Sequence, residues 1–331
     1  MFSSHNHGGQ LRRFSQTFGI PLADWLDVST GISPWAYPLP PVPTACWQRL
    51  PESDDGLASV AAEYYGSPYL LPVNGSQEAI KLLPQCFPSN RRVGIISPAY
   101  HSHQHAWAAQ GHTVQALNPA QVERALPALD VLVVVNPTNP TAQHYSSETL
   151  RHWQQTLAQH GGCLVVDEAF MDVTPTQSLI IPEPQSGLVV LRSVGKFFGL
   201  AGVRLGFVWA EIPLLQAIAA LQGDWSVSHP ARWAGQQALA DRAWQQQQRC
   251  RLVLAGERLH TSLQRYYGDA VQSTPLFGYL PSPHAAEIHQ ALAAQGILTR
   301  LFTEPAALRF GLPATEQDWL RLEQGIQSCQ P

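Results

Sequence analysis

Five short apolar runs set the strongest limit on the fold: Val93 to Ile96, Val131 to Val135, Cys163 to Val166, Leu188 to Leu191 and Val203 to Trp209. Polar stretches of helical character lie between them. Runs that are apolar almost throughout predict strands covered on both faces, as in a parallel sheet with crossover helices. The pattern predicts an α/β domain reaching to about residue 222. Leu57 to Tyr65 reads as a helix, and Glu78 to Leu83 as the start of another behind a Gly-Ser turn. Sheets of this kind place ligands outside the carboxyl ends of their strands. The polar residues that follow each run are therefore the candidates for chemistry.

The flanks read differently. The first 45 residues are rich in Gly, Pro and Ser, and the proline cluster from Pro34 to Pro43 excludes a regular helix or central strand there, so this part is expected to be an extended arm. Ala231 to Leu263 reads as one long helix with a Gln- and Arg-bearing surface face. The last stretch offers strands at Leu298 to Phe302 and Leu308 to Gly311, and helices starting near Ala285 and Glu316. The expected division is an arm (1–45) packing on a small domain and the active site, a large domain (46–230), and a connecting helix with a small α+β domain (231–331).

Composition removes several classes of function. The chain has 331 residues, only 13% of them charged, with 20 basic against 24 acidic side chains and a net charge of −4. Without a basic stripe, nucleic acid is not the expected partner. The apolar runs fall far short of the ~18 residues that span a bilayer, and the N-terminus lacks the charge-then-apolar order of a signal peptide. A cytoplasmic protein with no membrane partner is expected. Five cysteines without a CxxC pair read as reduced thiols. His101, His103 and His105 alternate as if on one face of an extended segment, but no carboxylate or cysteine completes a zinc set, so no metal is expected. No GxSxG supports a serine hydrolase.

Each strand end carries distinctive residues. Val131 to Val135 runs into Asn136-Pro137-Thr138-Asn139-Pro140-Thr141, and Cys163 to Val166 into Asp167-Glu168-Ala169-Phe170. Leu188 to Leu191 runs into Arg192-Ser193-Val194-Gly195-Lys196, with Arg204 eight residues after the lysine. Upstream, Asn74-Gly75-Ser76-Gln77 feeds a helix N-terminus. In order and spacing this set resembles the fold-type-I pyridoxal-phosphate enzymes, the aspartate aminotransferase superfamily, and especially its histidinol-phosphate aminotransferase branch. The resemblance covers about residues 55 to 312. It implies an aspartate-aminotransferase-like α/β fold with a mostly parallel large-domain sheet and a smaller α+β domain, pyridoxal 5'-phosphate as cofactor, and a homodimer with shared active sites.

Position by position, the resemblance places Lys196 at the cofactor aldehyde. An amine attacks only when unprotonated, so burial and the neighbouring cofactor must favour its neutral form. The chain's other lysine, Lys81, is expected on a solvated helix face. Asp167 is implied to pair with the pyridine nitrogen and keep it protonated, so that the ring accepts electrons. Asn139 resembles the residue that hydrogen-bonds the ring hydroxyl, and Tyr100 the aromatic that stacks on the ring. Backbone N–H groups of Gly75, Ser76 and Gln77 at a helix start, with Ser193 and Arg204, match the cup for the cofactor phosphate. Phe170, Gly195, Leu50 and Ala142 stand where the family commonly has tyrosine, serine, tyrosine and glycine; none removes the machinery that binds the aldehyde.

The arm separates the branches. His7-Gly8-Gly9-Gln10, followed by Leu26-Asp27-Val28-Ser29-Thr30-Gly31-Ile32-Ser33-Pro34, resembles the threonine-phosphate decarboxylases of cobalamin biosynthesis. This implies a small phosphorylated amino acid as substrate, L-threonine O-3-phosphate, and (R)-1-aminopropan-2-yl phosphate as product. His7, Gly8, Gly9 and Gly31 are then expected in a backbone nest over the substrate phosphate. Arg309, in Ala307-Leu308-Arg309-Phe310, matches the superfamily's carboxylate clamp. Arg300 resembles the position that contacts a substrate phosphate. An aminotransferase of the histidinol-phosphate type is the alternative, and a regulatory module that binds the cofactor without catalysis is a third reading, for which no attached helix-turn-helix or basic segment is found.

Overall fold

The five apolar runs form five adjacent strands at the centre of one sheet in the computed structural model, which describes residues 8–329. In chain order, β1 is Leu26–Asp27, β2 Leu70–Val73, β3 Arg92–Ile96, β4 Thr113–Leu117, β5 Val131–Val135, β6 Cys163–Asp167, β7 Leu188–Ser193 and β8 Gly206–Trp209. Among the described residues the large sheet has the order β2-β8-β7-β6-β5-β3-β4. Its strands are parallel from β4 through β7, while β8 runs antiparallel to both neighbours. The two strands that the apolar pattern does not reveal are the edges. Thr113, Gln115 and Ala116 of β4 are exposed, and β2 contains Pro72; neither reads as a continuous apolar run.

Alternation along β5 shows how the core is built. Leu132 and Val134 point to one face, which also buries Trp153 and Leu157 of the helix Ser147–Ala158. Val131 and Val133 point to the other, with Ile80 and Trp107. Each such aliphatic side chain contributes roughly 1.5–3 kcal/mol by leaving water. Four strand limits in the large sheet differ from the sequence reading: β3 begins one residue earlier, at Arg92, and β7 runs on to Ser193. β6 includes Asp167 as its last residue. The run from Val203 joins the sheet only at Gly206, because Ala201–Val203 is a 3-10 turn and Arg204 takes a left-handed φ of 59°.

The long helix expected from Ala231 is two helices, His229–Ala240 and Arg242–Tyr267. Asp241 ends the first and starts the second. Its Oδ1 accepts from the N–H of Trp244 at 2.9 Å, as an N-cap does, while Gln245 Nε2 donates to the freed carbonyls of Ala238 and Leu239.

The chain divides into two compact units. One comprises Ala36–Asn139 and Gln143–Gln248, which contain the large sheet; the other comprises the residues up to Trp35, Pro140–Ala142, and those from Arg249 onward. The second unit has β9 (Gln272–Thr274), β10 (Phe277–Pro281), β11 (Ile297–Leu298), β12 (Arg300–Thr303) and β13 (Ala306–Gly311). Four of these make an antiparallel sheet of order β12-β13-β10-β9, and β11 pairs in parallel with β1. The expected strand Leu298 to Phe302 is thus split at Thr299 between two sheets. The arm is not extended throughout: Leu11–Phe18 is a helix, because Leu11, Phe14 and Phe18 recur on one face and pack with Trp25, Ala293 and Leu298. Farther along the arm, Gly311 N–H donates to the carbonyl of Val28 at 2.7 Å. A Cβ on Gly311 would collide with the carbonyl of Thr30, so only glycine admits this approach.

Candidate active site

One end of the large sheet gathers most of the expected residues. The N–H of Asn136 donates to the carbonyl of Asp167, and that of Glu168 to Leu191, so β5, β6 and β7 end side by side. Gly206 lies opposite both Ser193 and Val73. The turn after β2 is therefore folded over Gly206, where an added Cβ would stand 2.6 Å from both the amide nitrogen of Ser76 and the carbonyl oxygen of Arg192. Gly75 has φ 68°, and a Cβ on it would strike the guanidinium of Arg204. Arg204 is exposed and donates from Nη1 to the carbonyl of Ala201 at 3.1 Å. The structure so collects Gly75, the first two residues of the helix Ser76–Leu82, Ser193 and Arg204. The N–H groups of a first helical turn have no partner within the helix.

Beside this cup lies a buried polar chain. Tyr100 donates its hydroxyl to Gln77 Oε1 at 2.9 Å and sets its ring edge-on to His103. His103 Nε2 is 3.0 Å from Asp167 Oδ2, and Oδ1 accepts from the N–H of Ala169 at 3.1 Å. Asp167 and His103 are both buried. His103 is a residue that the sequence reading treated only as one of three alternating histidines. The segment is a helix, Ser102–Ala109, so alternate residues diverge: His103 turns inward while His101 and His105 are exposed. Among the described residues no group of three His, Cys, Asp or Glu could hold a metal ion. The signal for His103 was its place three residues after Tyr100, one helical turn on.

Lys196 is half-buried after β7, with Nζ 5.8 Å from the ring centroid of Phe170. Asn139 is half-buried in the loop that follows β5. Ala142, where relatives commonly carry glycine, takes φ 62°, in the left-handed region that favours glycine.

A second buried cluster joins the residues next to Asp167 and Ser193. Arg192 donates from Nη1 to Glu168 Oε2 at 2.7 Å and from Nη2 to Asp172 Oδ1 at 2.6 Å. Ser178 and the N–H of Leu179 donate to Glu168, and Tyr64 to Asp172. Burial pushes the Glu168 carboxyl up despite the guanidinium, and pushes the enclosed Tyr65 hydroxyl far up. Motif order alone did not show that these charges meet.

The other unit carries the second group of expected residues. Arg300 and Arg309 are directly opposed on β12 and β13. Arg309 Nη2 donates to the carbonyl of Ser29 at 2.8 Å. The Ser29 hydroxyl accepts from the N–H of Gly9 at 2.8 Å and donates to Asp27 Oδ1 at 2.6 Å. A Cβ on Gly8 would lie 2.5 Å from the Ser29 carbonyl oxygen. Burial, together with the charge of Arg300, lowers the Arg309 pKa to about 10. Gly31 is buried next to Thr30. His7 lies outside the described residues.

The donor sets fit the cofactor that the resemblance implies. A phosphate monoester finds helix N–H groups, a hydroxyl and a guanidinium beside a glycine with no room for a side chain. A pyridine nitrogen finds the carboxylate of Asp167, whose two oxygens have lone pairs beyond the two bonds they already accept.

The chain is similar to known proteins along most of its length. Residues 51–324 match the family described as aminotransferase class I and II. The chain is 51% identical over 320 residues to a threonine-phosphate decarboxylase of Pseudomonas aeruginosa, covering 97% of this chain and 96% of that protein. It is 38% identical to a threonine-phosphate decarboxylase of a Sinorhizobium species, with 92% of each covered. Among solved structures, a histidinol-phosphate aminotransferase from Sinorhizobium meliloti in complex with pyridoxal-5'-phosphate superposes with a TM-score of 0.81 at 18% identity, covering 99% of this chain and 100% of that one. That likeness shows the fold.

Proposed function

The chain belongs to the aminotransferase class I and II family, and on that premise we propose that it is a pyridoxal 5'-phosphate-dependent lyase. It decarboxylates L-threonine O-3-phosphate to (R)-1-aminopropan-2-yl phosphate. The observation that carries the reading is the likeness, along nearly the whole chain, to the two threonine-phosphate decarboxylases named above. The fold is of the aspartate-aminotransferase type.

Pyridoxal phosphate, when bound, supplies an electron sink for a bond that breaks at Cα of an amino acid. The residues of this chain do the rest. Lys196 would provide the amine that holds the cofactor aldehyde and would carry a proton for Cα. Asp167, oriented by His103 and the Ala169 N–H, keeps a proton on the pyridine nitrogen. Gly75, Ser76, Gln77, Ser193 and Arg204 would hold the cofactor phosphate, Asn139 would hydrogen-bond the ring hydroxyl, and Tyr100 would stack on the ring. Phe170 has no hydroxyl to offer the ring oxygen.

The groups that orient the substrate would choose which bond at its Cα is broken, and so the reaction. In this reading Arg309 takes the carboxylate bidentately. Arg300 and the arm, through His7, Gly8, Gly9 and Gly31, take the phosphate. A guanidinium that is already desolvated spends less on burial when its anion arrives, which suits Arg309 to this role.

The assembly we propose is a homodimer with shared active sites. Trp47, Leu50 and Trp225 are 67%, 60% and 60% exposed around one surface groove of the large-sheet unit, an apolar patch of the kind that a second copy covers. No helix among the described residues is long and apolar enough to cross a membrane. A cytoplasmic enzyme serving cobalamin biosynthesis completes the reading, with neither nucleic acid nor membrane as partner.

Purified protein loaded with pyridoxal phosphate and given L-threonine O-3-phosphate alone is expected to release carbon dioxide. Strict dependence on 2-oxoglutarate would instead support an aminotransferase of the histidinol-phosphate type.

A further inference from the structure

The second unit carries a partly open cavity of about 260 Å3, lined by Gly9, Arg13, Ser29, His289, Thr299 and Arg300 among others. His289, on the helix Ala285–Ala294, is 4% exposed. Its Nδ1 is 2.8 Å from the hydroxyl of Thr299, the residue at the break between β11 and β12, and the ring of Phe14 meets it edge-on at 5.5 Å. Its Nε2 makes no hydrogen bond among the described residues, although the ring lines the cavity. The cavity is partly open, so Nε2 offers an incoming ligand a hydrogen-bonding group that no described residue takes.

The charged residues that line the cavity favour an anion. No acidic residue lines this cavity among the described residues, whereas Arg13 and Arg300 do. The helix Leu11–Phe18 begins at Gln10 on its wall, with no acidic residue in its first turn. Burial and the charge of Arg300 hold His289 below its ordinary pKa, so the ring is neutral near pH 7. A neutral ring whose Nδ1 accepts from Thr299 carries its proton on Nε2, pointing a donor into the cavity. An oxyanion only accepts, so its arrival selects that tautomer.

We infer that His289 is a specificity-determining residue that donates from Nε2 to the phosphoryl group of the substrate, in a cavity where Arg300 supplies the charge. This rests on the proposed phosphothreonine reading and names the residue that separates phosphorylated from unphosphorylated amino acids.

Two substitutions in the holoenzyme, whose cofactor cup is already filled, test it. His289→Asn keeps a polar atom near the place of Nδ1 and removes the donor to the cavity. His289→Gln puts an amide N–H near the place of Nε2. The inference expects His289→Asn to raise KM for L-threonine O-3-phosphate about 10- to 100-fold, the loss of one hydrogen bond to a charged group, with kcat and cofactor absorbance little changed. Inhibition by inorganic phosphate should weaken by the same factor, and His289→Gln should retain most of both. In the wild type, the nitrogen resonance of His289 Nε2 should shift as inorganic phosphate is added. An unchanged KM in His289→Asn with a silent resonance overturns the inference even where decarboxylation stands. A shifting resonance in a protein that leaves phosphothreonine intact keeps the anion site and removes the decarboxylase reading.

Discussion

His103 Nε2 lies 3.0 Å from Asp167 Oδ2, and both side chains are sealed from solvent. A buried carboxylate needs such a partner. With a second bond from the Ala169 N–H, the pair fixes the carboxylate at the end of β6, where a pyridine nitrogen would meet it. Asp167→Asn keeps the shape and removes the charge, and is expected to cut kcat by about 100-fold or more, the usual effect of removing a preorganised electrostatic partner. His103→Phe, acting through Asp167, should cost about 10-fold. Steady-state kinetics of the holoenzyme check both, and equal losses would show that His103 does more than orient the aspartate.

Gly206 leaves no space beneath the proposed phosphate cup. Gly206→Ala pushes a methyl group against backbone on both sides, at Ser76 N and Arg192 O, and backbone gives less readily than a side-chain tip. The variant should bind pyridoxal phosphate at least about 10-fold more weakly, since one misdirected N–H donor to an anion has that effect. Equilibrium dialysis gives the Kd; an unchanged value would remove the Ser76 turn from the cup.

The Arg192 cluster concerns stability. Arg192→Met leaves the carboxylates of Glu168 and Asp172 buried without their guanidinium, so about 3–5 kcal/mol of unfolding free energy should be lost. Adding Glu168→Gln and Asp172→Asn should recover part of it by removing the stranded charge. Chemical denaturation of the three proteins measures this.

Acid sensitivity follows from Asp55. Burial alone would raise its pKa, yet the two bonds from Arg232, at 2.6 and 2.8 Å, and the Leu57 N–H bring it below the ordinary value. A carboxyl whose folded pKa is depressed contributes fully above its unfolded pKa of about 3.9, and that contribution fades as pH falls through the folded value. Asp55→Asn should therefore lower stability at neutral pH and flatten the loss below about pH 4. Urea midpoints from pH 3 to 7 report the difference; parallel curves for the two proteins would contradict the linkage.

What the sequence makes legible follows from chemistry that repeats. Continuous apolar runs reveal the five central strands because both faces of each are covered; β2 and β4 are half-covered edges and give no such signal. The residues proposed for the cofactor could be picked out by order because most of them lie near the ends of the large sheet's strands. Long-range pairings escaped. His103 joins Asp167 across 64 positions and Arg192 joins Asp172 across 20, with no periodicity linking the partners. The late start of β8 follows a turn in which Arg204 adopts a positive φ, which a non-glycine residue does not advertise. The break at Asp241 depends on a cap bond inside what otherwise reads as one helix.

The central claim is tested most directly by the fate of two atoms. L-threonine O-3-phosphate labelled with 13C in the carboxyl group and 15N in the amine is given to the holoenzyme with and without 2-oxoglutarate, and the products are read by NMR. The account predicts labelled carbon dioxide and (R)-1-aminopropan-2-yl phosphate that keeps its 15N, in equal amounts and with no dependence on the oxo acid. A product that keeps the 13C carboxyl while 15N passes to glutamate would contradict it.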